Sequence, residues 1–483
     1  MTLFNTGSQY INYLFVFNII LALILVGFER RNPTATLSWL LVMLFLPGFG
    51  FVLYLFLGQD LRKKRLFYIK EGEEREIYPL VQQQEEHFHN NQLIFNDTRI
   101  QEYRELIHLH LNNQALYTQD NSIQIFQEGN DLFREIIAAI ERAERYIHIE
   151  YYIIRNDNLG RSILDALVRK ASAGIEVKLL YDGMGCMYLP RNFFKPLLEA
   201  GGKTAIFFPP LLPYINLRIN YRNHRKICLI DGLDGFTGGF NIGDEYLGIS
   251  KEFGHWRDTH IRIKGSALDE LELRFLLDWR YASHDNFMAE DRYFPTRVPQ
   301  GDTGVQIVSS GPDSKWSAIK NGYLKMISSA RRNIYLQTPY FVPDDSILEG
   351  LRIAALSGIE VCLIIPGKPD HYFVYWASLS YVGELLEAGV RCFTYNRGFI
   401  HSKLIVIDGL VSTVGTANID IRSFDLNFEV NAFIYDEKVS QEFEAAFIKD
   451  LEDCTEITMA DYLSRSLAVR TKEAFCRLLS PLL

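Results

Sequence analysis

NHRKICLIDG, residues 223–232, is spelled again as IHSKLIVIDG, residues 400–409, and both stretches follow the pattern HxKxxxxDG. The Ile, Leu and Val residues between the Lys and the Asp favour a β-strand, and Asp-Gly is a signal for a hairpin turn. Because side chains alternate across a strand, the His and the Lys of each copy share one face. The pairs that this places together are His224 with Lys226 and His401 with Lys403.

The aspartates of the two copies, Asp231 and Asp408, fall on the opposite face of their strands, because an odd number of positions separates each from its His. Local geometry therefore predicts that they shape the turns and do not contact the imidazoles. Beyond the turns the chain reads GGFNIGDEY and then GTANIDIRSF, with Asn241 and Asn418 at matching positions. If each strand folds back as a hairpin, both amides return towards the His and Lys side chains.

Glutamates recur in register as well. Glu252 follows His224 at the same spacing as Glu429 follows His401. A catalytic histidine needs a partner that fixes its tautomer and orientation, and a carboxylate at a repeated spacing can supply it. The spacing therefore predicts that each Glu supports the His that precedes it.

Together the two copies carry imidazoles, ammonium groups and amides that suit one phosphate bound between them. In-line displacement at phosphorus needs one His to attack and another to protonate the leaving oxygen. The lysines and asparagines would stabilise the equatorial charge. No cluster of metal ligands is evident, so neither a metal ion nor another cofactor is expected. A structural repeat without chemistry is the alternative, and the number of residues that recur in register argues against it.

Other segments repeat in the same order. GIEVKLLYDG at 174–183 is matched by GIEVCLIIPG at 358–367, and LLEAG occurs at 197–201 and again at 385–389. Helical stretches alternate with short apolar strands, which is typical of an α/β fold with helices covering a buried sheet. We expect two tandem α/β/α repeats that face each other with pseudo-twofold symmetry. The expected domains are a transmembrane hairpin at 1–65, a connector at 66–120, and the repeats at 121–298 and 299–483.

The beginning of the chain contains two uncharged apolar runs, at 11–28 and 37–57. Each approaches or reaches the roughly 20 residues that a helix needs to cross a bilayer, so a transmembrane hairpin of two helices is expected. A cleaved signal peptide is disfavoured, because no positive segment precedes the first run and a second run follows. A buried hairpin of a soluble domain is the other alternative.

Charged flanks predict the orientation of this hairpin. LRKKR at 61–65 follows the second run directly, whereas the loop between the runs contributes Arg30 and Arg31. The positive-inside rule then places everything after the hairpin in the cytoplasm. The six cysteines agree with this, because none lies in a CxxC pair and reduced, buried thiols are expected.

The net charge of the chain bears on its binding partners. The net charge of −9 argues against a general nucleic-acid binder, which needs a basic surface.

The segment FFPPLLPYINL at 207–217 lengthens the first repeat and is either a packed loop or a lip that contacts the bilayer. The oligomeric state cannot be predicted from the sequence.

The doubled HxKxxxxD motif, each copy followed by G-G/S/T-x-N, resembles the signature of the phospholipase D superfamily, and both copies match it without departure. Longer strings are similar to bacterial cardiolipin synthases, among them TGGFNIGDEY, WRDTHIRIKG, QTPYFVPDD and VGTANIDIRSFDLNFEVNA. The two apolar runs with the LRKKR cluster also resemble the beginning of that family. The resemblance extends over nearly the whole chain.

The resemblance implies an enzyme of the cell membrane that converts two phosphatidylglycerols into cardiolipin and glycerol through a phosphatidyl-histidine. It implies His224 as nucleophile and His401 as general acid and then base. Lys226, Lys403 and the two asparagines would bind phosphate, and the two aspartates complete the signature. Three alternatives stay open: a hydrolytic phospholipase D, a transferase that uses phosphatidylethanolamine, and an inactive membrane scaffold.

Overall fold

The computed structural model describes residues 16–17, 19–20, 33–50, 54, 78–209, 221–284, 291–314 and 316–480. The chain divides into two compact units. One comprises Met1–Gly72 with Pro210–Tyr221, and the other comprises Glu73–Pro209 with Arg222–Leu483.

The first unit contains helix α1, Pro33–Phe45. The rings of Trp39 and Tyr54 meet edge to face, with centroids 5.3 Å apart, beside the buried Met43. Within the described part of the chain, none of the helices has both the length and the apolar character that a membrane crossing requires. Most of the expected span at 11–28, the end of the span at 37–57, and the segment at 207–217 from residue 210 onwards lie outside the described residues.

The second unit is built on one large mixed sheet to which both sequence repeats contribute. The strands of the first repeat are β1 (Thr118–Phe126), β2 (Tyr146–Tyr151), β3 (Glu176–Asp182), β4 (Lys203–Phe207), β5 (Arg222–Asn223), β6 (Ile227–Ile230), β7 (Asp234–Gly238), β8 (His255–Arg257) and β9 (His260–Lys264). The strands of the second repeat are β10 (Thr303–Ser310), β11 (Asn333–Gln337), β12 (Phe341–Val342), β13 (Glu360–Pro366), β14 (Arg391–Tyr395), β15 (Gly398–Ile400), β16 (Leu404–Ile407), β17 (Val411–Gly415), β18 (Ile419–Asp420), β19 (Asn427–Tyr435) and β20 (Cys454–Ile457).

Both repeats arrange their strands in the same spatial order. From the outer edge inwards the order is β4-β3-β2-β6-β7-β9-β1 in the first repeat and β14-β13-β11-β16-β17-β19-β10 in the second. Antiparallel pairing of β1 with β10, where Thr118 lies opposite Val305, joins the two halves. β20 extends the outer edge of the second repeat beyond β14. The matching order is the one expected of two tandem copies of one α/β unit.

Helices cover the sheet because its parallel strands are buried on both faces. β13 reads EVCLIIP, and such a near-continuous apolar run is typical of strands that lie between helical layers. The helices are α2 (Tyr78–His89), α3 (Arg104–Leu111), α4 (Gly129–Arg142), α5 (Asn158–Ser172), α6 (Lys195–Glu199), α7 (Ala267–Ser283), α8 (Ala318–Ser329), α9 (Asp345–Leu356), α10 (Tyr372–Glu387), α11 (Ile421–Asp425), α12 (Glu437–Leu451), α13 (Met459–Leu463) and α14 (Leu467–Leu478).

Corresponding helices begin and pack in the same way. Asp157 caps α5 by accepting the backbone N–H of Gly160 at 3.0 Å, and Asp344 caps α9 by accepting that of Ile347 at 3.0 Å. A buried apolar stripe on each covering helix then faces the sheet. In α4 this stripe recurs every fourth residue, at Leu132, Ile136 and Ile140.

The two repeats also exchange short strands next to the motifs. β5, which precedes the first HxK motif, pairs with β19 of the second repeat, where Asn223 lies opposite Phe428. β15, which precedes the second motif, pairs with β8 of the first repeat, where Ile400 lies opposite Arg257. This reciprocal pairing holds each motif against the other repeat.

Candidate active site

The two HxK motifs lie in extended segments that directly precede β6 and β16, and each strand begins one residue after its Lys. The sequence prediction that the histidines lie within these strands is therefore wrong. The cause is a hydrogen bond to the other repeat. The backbone N–H of His224 donates to the carbonyl oxygen of Phe428 at 2.9 Å, and that of His401 donates to the carbonyl oxygen of Arg257 at 2.7 Å.

Asp231 and Asp408 lie at the far end of the strands, in the hairpin turns. Each has a φ of 56°, and the following glycines, Gly232 and Gly409, also have positive φ, of 68° and 62°. Two successive residues with positive φ are the requirement of a type I′ turn, which explains the Asp-Gly sequence. The predicted hairpin turns are therefore present, and the structure does not bring either aspartate to the histidines.

Both turn carboxylates accept hydrogen bonds from the backbone at the start of a neighbouring strand. The donors to Asp231 are the N–H groups of Glu144, Arg145 and Tyr146, each at 2.8 Å. The donors to Asp408 include the N–H groups of Arg331, Arg332 and Asn333 and the hydroxyl of Tyr103, the last at 2.7 Å. These contacts hold each hairpin turn against the residues that lead into β2 or β11.

Each imidazole is supported by a buried carboxylate of the other repeat. Glu429 Oε2 lies 3.0 Å from Nδ1 of His224, and Asp258 Oδ2 lies 2.7 Å from Nδ1 of His401. The carbonyl oxygen of Thr416 also lies 3.0 Å from Nδ1 of His224. A proton on Nδ1 satisfies these acceptors, so Nε2 of each ring carries the lone pair.

The prediction that each Glu supports the His preceding it in the chain is therefore wrong. Glu429 contacts His224 of the first repeat, because the strand exchange carries the beginning of β19 to that side. Glu252 is exposed in the turn before β8, and the structure does not bring it to the site. Asp258, which the sequence analysis missed, occupies the place that corresponds to Glu429.

A different feature of the sequence points to Asp258. It stands two residues before β9 in RDTHIRI, and Glu429 stands near the start of β19 in NFEVNAFI. Equal spacing from the His failed because the first repeat carries additional residues between its hairpin and β9. Aligning the two acidic residues on the strands they enter would have found both.

The motif lysines are buried beside the histidines. Lys226 Nζ donates to the carbonyl oxygen of His224 at 2.8 Å, and Lys403 Nζ donates to that of His401 at 2.6 Å. Lys403 Nζ also lies 3.1 Å from Nε2 of the His401 ring. Each copy thus presents an imidazole and an ammonium group together, as the sequence predicts.

Burial sets the charge of these groups. It lowers the pKa of Lys226 to about 7 and that of Lys403 to about 8. Burial and then the Lys403 ammonium lower the pKa of His401 to about 3, and burial also lowers the pKa of His224. The Lys403 charge further lowers the pKa of Lys226, so the two motifs act on each other within one site. Burial therefore disfavours the imidazolium form of both rings in the free protein.

The two asparagines lie just beyond the hairpins, and both are buried. Asn241 Oδ1 accepts the backbone N–H of Ile153 at 3.2 Å, and Asn418 Nδ2 donates to Asp420 Oδ2 at 3.1 Å. Asn418 Oδ1 has no hydrogen-bond partner within the described part of the protein. The charge of Asp420 acts on Lys403, so this asparagine belongs to the neighbourhood of the second motif.

Aromatic rings enclose the two histidines. The Tyr152 ring meets His224 edge to face with centroids 4.9 Å apart. On the other side, Trp256 and Tyr340 lie 5.4 Å and 6.5 Å from the His401 ring. These rings limit the access of water and strengthen the electrostatic interactions inside the site.

The arrangement suits acid–base and nucleophilic chemistry at a bound phosphate. It combines two imidazoles, each held by a carboxylate, with two ammonium groups, and the Asn418 amide lies near the second motif. Among the residues that the structure describes, no group of His, Cys, Asp and Glu side chains could hold a metal ion.

Comparison with known proteins places this site in a family. The family model "Cardiolipin synthase, PLD-like domain" matches residues 136–275 and 323–451, and the model "Phospholipase_D-nuclease N-terminal" matches residues 16–59. The chain is 50% identical over 479 residues to the major cardiolipin synthase of Bacillus subtilis (strain 168), with 99% of each chain covered. It is 49% identical over 471 residues to a cardiolipin synthase of Staphylococcus aureus (strain Mu50), covering 97% of this chain and 95% of that one.

The fold is also similar to a solved structure. The crystal structure of phosphatidylserine synthase from Haemophilus influenzae Rd KW20 superposes with a TM-score of 0.59, covering 78% of this chain and all of the other. The sequence identity is 15%, so this likeness concerns the fold alone.

Proposed function

The chain belongs to the cardiolipin synthase family with phospholipase D-like domains and is a phosphatidyltransferase, and we propose that it joins two phosphatidylglycerols through a phosphatidyl-histidine. The products are cardiolipin and free glycerol. The observation that carries the proposal is the reciprocal arrangement in which each repeat supplies an imidazole and the carboxylate that holds the imidazole of the other.

His224 is the proposed nucleophile. Its Nδ1 faces two oxygen acceptors, Glu429 and the carbonyl of Thr416, which fix the ring proton on Nδ1 and leave a lone pair on Nε2. Nε2 bonds to the phosphorus of the donor lipid while the P–O bond to the headgroup glycerol breaks. His401, as imidazolium, passes its proton to the departing oxygen. The negative charges of the phosphodiester and of Asp258 favour that imidazolium while the donor is bound.

The second step reverses these roles. A hydroxyl group of the second phosphatidylglycerol attacks the same phosphorus, and His401 accepts the proton of that hydroxyl. The P–N bond to His224 then breaks, so cardiolipin is released and both imidazoles return to their starting states. The aromatic rings around the histidines favour a lipid hydroxyl over water as the attacking group.

Lys226, Lys403, Asn241 and Asn418 bind the phosphate oxygens in this proposal. The two ammonium groups offset the negative charge that grows on the equatorial oxygens as the new bond forms. A bound phosphate anion also raises the pKa of each Lys, because an opposite charge nearby favours the protonated form. Asp231 and Asp408 hold the hairpins in place and take no part in proton transfer.

The beginning of the chain is the proposed membrane anchor. The uncharged runs at 11–28 and 37–57 form a two-helix hairpin in this proposal, and the LRKKR cluster at 61–65 places the catalytic repeats on the cytoplasmic side of the cell membrane. Donor and acceptor both reside in the bilayer, so anchoring keeps the site where they are concentrated.

The test uses the purified full chain in micelles of detergent and phosphatidylglycerol, without nucleotide or added metal. Lipids are resolved by mass spectrometry and free glycerol is assayed in the same samples, with His224→Ala as the control. We expect cardiolipin and glycerol in equal amounts from the unaltered protein and neither product from the variant. If phosphatidic acid is the only new lipid, the reaction is hydrolysis and not transfer. If turnover occurs only after phosphatidylethanolamine is added, phosphatidylethanolamine is the donor lipid and phosphatidylglycerol is not.

A further inference from the structure

Two loops at equivalent positions in the two repeats expose large apolar side chains. One follows β3 and carries Met187, which is 57% exposed, and Tyr188, which is 78% exposed. The other follows β13 and opens α10, where Tyr372 is 51% and Phe373 49% exposed. We name residues 183–191 the first tip and residues 367–373 the second tip. Because β3 and β13 hold equivalent places in the sheet, the tips are counterparts in the two repeats.

Each tip contacts a tyrosine whose ring lies beside one of the two imidazoles. In the first tip, Cys186 Sγ lies 3.5 Å from the carbonyl oxygen of Tyr152, whose ring contacts His224. In the second tip, Asp370 accepts a hydrogen bond from the hydroxyl of Tyr340, whose ring faces the other imidazole. The tips therefore flank the site, one on the side of each histidine.

Both tips combine aromatic residues with a cation. Arg191 ends the first tip and Lys368 lies in the second, and both side chains are exposed. Exposed Tyr and Phe side chains together with Lys or Arg are typical of surfaces that lie at the boundary between a bilayer and water. Anionic phospholipid headgroups complement the two cations.

The placement of the apolar residues favours a bilayer over a folded protein partner. A protein partner is usually bound by one contiguous apolar patch. Here the apolar residues form two separate points, one at either side of the catalytic centre. A broad lipid surface touches both points at once and still leaves the space between them open to a headgroup.

We propose that the two tips insert their aromatic side chains into the headgroup region of an anionic phospholipid bilayer and hold the active-site entrance against it. The inference rests on the proposed transfer between two phospholipids and names the surface through which they enter. A lipid then reaches the histidines without leaving the interface.

The kinetic test compares a bilayer substrate with a dissolved one. Full-length protein is reconstituted in vesicles of phosphatidylglycerol diluted in phosphatidylcholine, and is assayed separately with short-chain phosphatidylglycerol below its micellar concentration. For Tyr188→Ser combined with Phe373→Ser, we expect the ratio of vesicle efficiency to dissolved-lipid efficiency to fall on the order of tenfold. An unchanged ratio would overturn the proposal, whether both activities fall together or neither falls. Leu233→Ser is the matched control, because Leu233 is 52% exposed in a hairpin turn at the opposite end of the strands.

A spectroscopic test detects the contact directly and does not require turnover. In vesicles that contain brominated phosphatidylcholine, the fluorescence of the tryptophan added by Tyr188→Trp should be quenched. The fluorescence of the tryptophan added by Leu233→Trp should not be quenched. Equal quenching in both, or in neither, would contradict the placement of the tip. If the unaltered protein forms only phosphatidic acid, the transfer proposal fails. The quenching result would still test the two tips, and so would the efficiency ratio if it is measured from the formation of phosphatidic acid.

Discussion

Replacing Glu429 by Gln tests the exchange of carboxylates between the repeats. Glu429 is fully buried, and Oε2 lies 3.0 Å from Nδ1 of His224 while Oε1 accepts a hydrogen bond from Asn427 at 3.1 Å. Glutamine keeps the volume and one oxygen acceptor, so the substitution removes the negative charge with little change of shape. The variant should fold, and its thermal unfolding is measured first.

The expected loss follows from the charge that His224 acquires. Bonding of Nε2 to phosphorus makes the ring cationic, so the carboxylate contributes more to the transition state than to the resting enzyme. A hydrogen bond to a charged group contributes about 1.5–3 kcal/mol, and leaving a buried charge without its partner costs about 3–5 kcal/mol. A loss of about 3–4 kcal/mol corresponds to a decrease in kcat on the order of 10²–10³-fold.

The assay is the initial rate of cardiolipin formation, measured by mass spectrometry for Glu429→Gln, Asp258→Asn and Glu252→Gln. The first two should lose activity on the same scale, and Glu252→Gln should stay within about twofold of the unaltered protein, as exposed substitutions usually do. A large loss in Glu252→Gln, or none in Glu429→Gln, would show that the imidazoles are not supported across the repeats. Glu429 also raises the pKa of Lys226, so Glu429→Gln should move the alkaline decline of kcat/KM to lower pH.

Further predictions concern the motif residues. His224→Ala should abolish cardiolipin formation and His401→Ala should lower kcat by about 10²–10⁴-fold, the usual contribution of general acid–base catalysis; activity retained by either variant would refute a shared site. In the unaltered protein, kcat/KM should fall more steeply as the pH rises through about 7 and 8, because Lys226 and Lys403 then lose their protons and no longer attract phosphate; a slope that steepens only near pH 10 would contradict this. Asp408→Ala should lower the free energy of unfolding by about 3 kcal/mol, because buried N–H donors lose their acceptor, and activity per folded molecule should be kept; denaturant titration and specific activity check both statements. A chelator should change the rate by less than about twofold, since the histidines perform the chemistry that a metal would supply, and a loss that only a divalent cation restores would count against it.

The features that the sequence predicts correctly are local ones. Asp231-Gly232 and Asp408-Gly409 specify their turns through backbone conformation, so the hairpins and the positions of the two aspartates follow from a few adjacent residues. The alternation of helices and strands follows in the same way from hydrophobic periodicity. Neither depends on what the other repeat does.

The features that the sequence does not predict depend on contacts between the repeats. β6 and β16 begin only after the HxK motifs, because the backbone N–H of each motif histidine donates to a carbonyl of the other repeat. Glu252 was selected by spacing along one repeat, a criterion that carries no information about which repeat supplies the partner. The pairing of β8 with β15 brings Asp258 to the second motif, which the spacing from His224 does not indicate.

The exchange of strands also explains why one chain contains the motif twice. Each imidazole receives its carboxylate from the other repeat, and the backbone N–H of each histidine is held by a carbonyl of the other repeat. A single repeat would therefore present a His with an unsatisfied backbone donor and without an acceptor for Nδ1, both of which are costly once buried. The pairing of β5 with β19 and of β15 with β8 thus builds two supported imidazoles at once, and the covalent link between the repeats keeps these partners together. Changes at the beginning of β19 should for this reason act on the chemistry of His224, a residue that lies more distant in sequence than His401.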